Sequence, residues 1–98
     1  METTTIKPIA KPTVRLAPMY KVIVHNDPVT VAVFVIKVLM QVFHKTEGDA
    51  RKLMREAHET EVALVSVMCL EQAELRLDMA HSMAKSAKYP LKFSIEPA

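Results

Sequence analysis

An α+β domain in the order β-α-α-β-α-β, with a small three-stranded sheet and three helices packed on one side, is the fold class this sequence predicts. Three observations predict it. Residues 19–25 and 91–96 alternate between apolar and polar side chains with the period of a strand. Residues 50–57 and 70–87 instead repeat their apolar residues at helical spacing. The chain has 98 residues, which allows one domain, and with so few strands the economical architecture is a single sheet covered on one face.

The first strand is Met19-Tyr20-Lys21-Val22-Ile23-Val24-His25, with Tyr20, Val22 and Val24 on one face and Lys21, Ile23 and His25 on the other. Asn26-Asp27-Pro28 reads as a turn. Residues 31–43 are rich in β-branched side chains, which favour a strand. Three features argue for a helix instead: Thr30 as an N-cap, Lys37 and Gln41 four apart on one face, and a stripe of Phe34, Val38 and Val42. A helix there would be apolar nearly all round, so part of it must face a core or a ligand.

Thr46 and Asp49 form a variant capping box ahead of the stripe Ala50, Leu53, Met54 and Ala57. Val62 to Met68 reads as a buried strand. Leu70 to Ala87 is the third helix, with Ala73, Leu77, Ala80 and Ala84 on one face, and it must end before Pro90. In the last strand Leu91, Phe93 and Ile95 alternate with Lys92, Ser94 and Glu96. Residues 1–17 hold Pro8 and Pro12 and little periodicity, and read as a flexible N-terminal arm ahead of a core domain at 18–98.

Composition excludes several classes. A net charge of +2 with scattered Lys and Arg and few aromatics gives no nucleic-acid face. The longest apolar-rich run, Val29 to Phe43, is shorter than the roughly 20 residues that span a bilayer, and nothing resembles a signal peptide. One cysteine, Cys69, precludes an internal disulfide and fits a reducing cytosol. The expectation is a soluble, cytoplasmic monomer. The four histidines and Cys69 match no familiar ligand spacing, so neither metal nor cofactor is expected. No oxyanion-hole or triad pattern accompanies Cys69 and His58, and a single glycine argues against a phosphate-cradling loop, so an enzyme is not expected.

The informative constellation is the strand that ends in Asn26-Asp27, with His58 on the second helix. Asn26 offers a carbonyl oxygen, Asp27 a carboxylate, and neutral His58 a ring lone pair. A peptide's free α-ammonium has three donors to match them.

The same residues carry a resemblance to a known family. The segments Met19-Tyr20-Lys21-Val22-Ile23, Asn26-Asp27, Val38-Leu39-Met40 and Val42-Phe43-His44-Lys45 are similar to ClpS, the adaptor that delivers proteins with destabilising N-terminal residues to the ClpAP protease. Leu53-Met54, Ala57-His58, Glu71-Gln72-Ala73-Glu74, Pro90-Leu91 and Glu96-Pro97-Ala98 continue it, from Met19 to Ala98. No piece is specific alone; the ordered set at matching spacing is. The resemblance implies a ClpS-like fold, akin to the C-terminal domain of the ribosomal stalk protein. It implies α-amino-group binding by Asn26, Asp27 and His58, and a side-chain pocket of Thr30, Ala32, Val35, Met54, Ala57 and Leu91. It also implies contact with a Clp/Hsp100 unfoldase, ClpA-like, through Glu71 and Arg76. Charge-assisted hydrogen bonds of about 1.5–3 kcal/mol each, plus a similar gain from burying a Leu or Phe, would support micromolar binding of N-degron peptides.

The chain departs from the family pattern. Pro28 stands where a second acidic residue is common, losing a charge and an N–H. Ala32 replaces a Met that narrows the pocket and excludes β-branched side chains, and Ala57 replaces a Val, so a roomier pocket that accepts Ile or Val is expected. Val31 and Val33 replace a proline and an acidic residue, Glu59-Thr60-Glu61 a glycine-containing turn, Ser66 a glycine, and Cys69 a capping Thr. These departures leave an alternative: a degenerate paralogue that docks on an unfoldase or another protein without reading N-termini.

Overall fold

The computed structural model describes residues 18–98; the arm expected at 1–17 lies outside the described residues. The element order is β1 (Met19–His25), α1 (Ala32–Phe43), α2 (Glu47–Thr60), β2 (Val62–Cys69), α3 (Leu70–Ala87) and β3 (Lys92–Pro97). β1 is central in a three-stranded sheet of order β2-β1-β3, and both pairings are antiparallel. α3 packs across all three strands, α2 against β2, and α1 against the other two helices. The predicted fold class is the observed one.

Strand alternation places the core. Val22 and Val24 of β1 and Phe93 of β3 are buried beneath the helices, and Val38, Leu39 and Val42 of α1 close over them. Tertiary burial thus overrides the strand propensity of the valines in α1. Lys37 and Gln41 face water, as their spacing predicts. The stacked rings of Phe43 and Phe93, 5.3 Å apart, tie the end of α1 to β3. The edge strand β3 is also tied to α3: its Phe93 N–H donates to His81 Nε2 at 2.9 Å.

Two local expectations are corrected. Thr30 is not the N-cap of α1. That position is Val31, which makes no side-chain cap, while the Thr30 hydroxyl donates to Asp27. Nor is β2 a fully buried strand. It is an edge strand with Ala63 and Val65 inward and Val62, Leu64 and Val67 exposed. A bulge opposite Val22/Ile23 shifts the pairing from Ser66 to Leu64, leaving Val65 between them unpaired and buried. The cap expected at α2 is present: the Thr46 hydroxyl accepts from Asp49 N–H at 3.1 Å.

All three helices end in a left-handed residue that is not glycine: His44 (φ 56°), Glu61 (φ 76°) and Lys88 (φ 64°). The carbonyl of Glu61 accepts the backbone N–H of Asn26 at 2.9 Å. The α2–β2 turn therefore fixes where β1 ends.

Candidate functional site

The end of β1, the turn into α1, the last turns of α2 and the entry to β3 converge on one cavity of about 300 Å³. That is the low end of the range for small-ligand sites, about 300–1,000 Å³, and suits a single side chain. All nine residues predicted for amine and side-chain binding line it: Asn26, Asp27, Thr30, Ala32, Val35, Met54, Ala57, His58 and Leu91. Val24, Ala57 and Leu91 are almost wholly buried, and Val35 nearly so, which makes an apolar floor. Asn26, Asp27 and Thr30 are half-buried and His58 and Ala32 exposed, which puts polar groups and the small alanine at the mouth.

Three wall residues lie outside the expected set: Val24, His25 and Pro28. The first two immediately precede Asn26, so chain continuity was the available signal. Pro28, expected only as a lost contact, forms part of the wall.

Asp27 has more to do than the sequence suggests. Its Oδ1 accepts the N–H groups of Val29 at 2.8 Å and Thr30 at 2.7 Å, closing an Asx-type turn. Its Oδ2 accepts the Thr30 hydroxyl at 2.7 Å. A carboxylate has about four acceptor positions, so roughly one, on Oδ2, is left for a ligand. Partial burial pushes the Asp27 carboxyl up. The hydrogen bonds from the Thr30 hydroxyl, the Thr30 N–H and the Val29 N–H together outweigh that and hold it below its ordinary 3.8. Asp27 is thus a preorganised anion at the cavity mouth.

The histidines separate by partner. His25 Nε2 lies 2.6 Å from Ser94 Oγ, His81 accepts the Phe93 N–H, and His44 Nε2 lies 3.2 Å from Arg76 Nη1. Among the described residues the ring of His58 has no such hydrogen-bond partner, and it sits at the cavity mouth. The side-chain amide of Asn26 is likewise unengaged among the described residues. No group of three His, Cys, Asp or Glu side chains among the described residues could hold a metal ion.

The two residues expected at an unfoldase surface differ in setting. Glu71 is exposed in the first turn of α3. Arg76 is half-buried and donates to the Val42 carbonyl at 3.2 Å, so it anchors the end of α1. Five positions apart on a helix, the two side chains diverge by about 140°.

Fold and cavity together define a small α+β binding domain that presents hydrogen-bond acceptors at the lip of an apolar pocket. A sequence model of the family described as "ATP-dependent Clp protease adaptor protein ClpS" matches residues 15–94. The chain belongs to the ClpS family. It is 39% identical over 82 residues to the ATP-dependent Clp protease adapter protein ClpS of Desulfotalea psychrophila, covering 84% of this chain and 80% of the relative. It is also 39% identical over 80 residues to the Myxococcus xanthus protein of that name, covering 82% and 75%. Among solved structures, Agrobacterium tumefaciens ClpS2 bound to L-phenylalaninamide superposes with a TM-score of 0.81 at 36% identity, covering 84% of this chain and 99% of that one.

Proposed function

We propose that this chain is an adaptor that binds proteins through a destabilising N-terminal residue, meaning a free α-amino group plus a large apolar side chain, and delivers them to a Clp/Hsp100 unfoldase. One observation carries the reading: acceptors from Asn26, Asp27 and His58 share a cavity with an apolar floor of Val24, Val35, Ala57 and Leu91. The ligand of the Agrobacterium relative, an amino-acid amide with an aromatic side chain, has this chemistry.

In this reading the α-ammonium donates to the Asn26 carbonyl oxygen, the remaining Asp27 lone pair and a His58 ring nitrogen. The ionised Asp27 supplies the opposite charge. The first side chain enters the cavity and displaces water from apolar walls, a gain of about 1.5–3 kcal/mol for Leu or Phe. Nothing in the cycle requires a cofactor or a covalent step. The chain works as a cytoplasmic monomer and docks on its ClpA-like partner around the start of α3, where Glu71 is exposed.

Fluorescence anisotropy with peptides that differ only in residue one tests the reading. Leu and Phe peptides should bind in the micromolar range, and Asp or Gly peptides far more weakly. Ile and Val should bind as well, because Ala32 and Ala57 leave room, and Ala32→Met should reduce Ile and Val binding selectively. Equal binding of all first residues would overturn the proposal. Pro28 favours a second reading, in which the chain docks on an unfoldase without reading N-termini; unfoldase capture with no peptide binding would support that one.

A further inference from the structure

The two edges of the sheet differ in how well they are closed. On β3 the Phe93 N–H is taken by His81, and Pro97 has no N–H to offer. On the other edge, β2 has no strand beyond it among the described residues. Its eight residues include no proline and no charge, and Val62, Leu64 and Val67 are 41%, 47% and 47% exposed. Two clefts of about 210 and 270 Å³ lie between α2 and this strand and meet at Glu56 and Leu64. Together they form a groove along an open strand edge with a helix on its far side, a setting suited to an added strand.

We infer that residues 6–14 of this chain occupy the groove as a fourth strand, parallel to β2. With the prolines counted as apolar, the arm has a period of two. Ile6, Pro8, Ala10, Pro12 and Val14 hold the even positions, and Lys7, Lys11 and Thr13 the odd ones, with Ile9 the exception. In a strand the N–H groups of alternate residues point to the same edge. If the odd N–H groups pair with β2 and the even ones face solvent, Pro8 and Pro12 cost no ladder bond. The even side chains then cover the apolar lining of Leu53, Leu64 and Val65.

Reach and charge agree with this occupant. Met19 pairs with Cys69, so the arm leaves the sheet beside the C-terminal end of β2. Residues 15–18 can bridge the two strand spacings, about 10 Å, to the outer side of β2. The nine residues 6–14 then extend about 30 Å, against about 26 Å for the eight of β2. Lys7 arrives at the Val62 end, where the groove is lined by Glu56 and Glu96 against one cation, Lys21. The added strand would cover an apolar edge that is otherwise open to pairing with other chains.

The test is amide hydrogen exchange by NMR on the full-length chain and two arm variants. Both changes lie outside the described domain, so neither disturbs its packing. The amides of Ile9, Lys11 and Thr13 should exchange at least tenfold more slowly than in an unstructured chain, and those of Ala10 and Val14 should not. Lys11→Pro removes a pairing N–H and should return Ile9 and Thr13 to unprotected rates and speed exchange along the outer edge of β2. Ala10→Pro removes a solvent-facing N–H and should preserve the pattern. Unprotected exchange at every arm amide overturns the inference. So does protection of the β2 edge that grows with protein concentration, since a second copy would then cover it.

Discussion

The hydroxyl of Thr30 donates to Oδ2 of Asp27 at 2.7 Å, and the Thr30 N–H donates to Oδ1 of the same carboxylate at the same distance. Thr30 is therefore a positioning residue as well as a wall of the cavity. Thr30→Val keeps the shape and makes the wall more apolar, so a residue that merely lined the pocket would hold or improve affinity. The expected outcome is the opposite: a loss of about 1–2 kcal/mol, roughly tenfold, for a free Leu peptide. Thr30→Ser should restore most of it. Peptide titration of both variants checks this.

The Asp27 bonds also make stability depend on pH. Its folded pKa lies below the ordinary 3.8, so the stabilisation is fully present above 3.8 and is lost as pH falls through the lower folded value. Asp27→Asn removes the titration. Urea melts should show the natural protein more stable than the variant at neutral pH, with the gap closing below pH 3.8. A gap unchanged down to pH 2 would mean the carboxylate contributes nothing through its charge.

Glu61 sits at φ 76° in the turn whose carbonyl holds the Asn26 N–H. A side chain at such an angle is strained by roughly 1 kcal/mol, which glycine avoids. Glu61→Gly should raise stability by about 0.5–1 kcal/mol and leave peptide affinity unchanged, because the Asn26 bond is to a backbone oxygen. Thermal denaturation beside peptide titration tests both halves.

Arg76 and Glu71 should separate in a stability assay. Arg76 donates to the Val42 carbonyl and lies beside His44, so Arg76→Ala should cost about 1 kcal/mol. Glu71 is exposed, and Glu71→Ala should leave stability near its starting value. If both variants lose unfoldase binding, Glu71 reports the contact and Arg76 part of the fold.

How much of the fold is legible in the sequence depends on how local each signal is. The alternation of Tyr20, Val22 and Val24 and the stripe from Ala50 to Ala57 are periodic, and both elements stand where periodicity puts them. Helix α1 needs the spacing of Lys37 and Gln41 to outweigh a β-branched run. Its cap differs from the expected one because Thr30 has two candidate partners, and the Asp27 carboxylate wins over the helix amides. The exposed face of β2 is hidden in the sequence because Val62 to Met68 is continuously apolar apart from Ser66, and only the sheet order reveals that this strand lies on an edge. At the site, residues far apart in sequence share one cavity. The three bonds that turn Asp27 into the staple of its own turn depend on backbone angles that no residue pattern displays.

The most direct measurement compares two Leu-first peptides of otherwise identical sequence, one with a free α-amino group and one α-acetylated, in a single anisotropy titration at neutral pH. Three acceptors around a cation predict that the free peptide binds in the micromolar range and that acetylation removes at least two orders of magnitude of affinity, about 2.7 kcal/mol or more. Equal binding of the two peptides would contradict the account, because the lip of the cavity would then have no cation to hold.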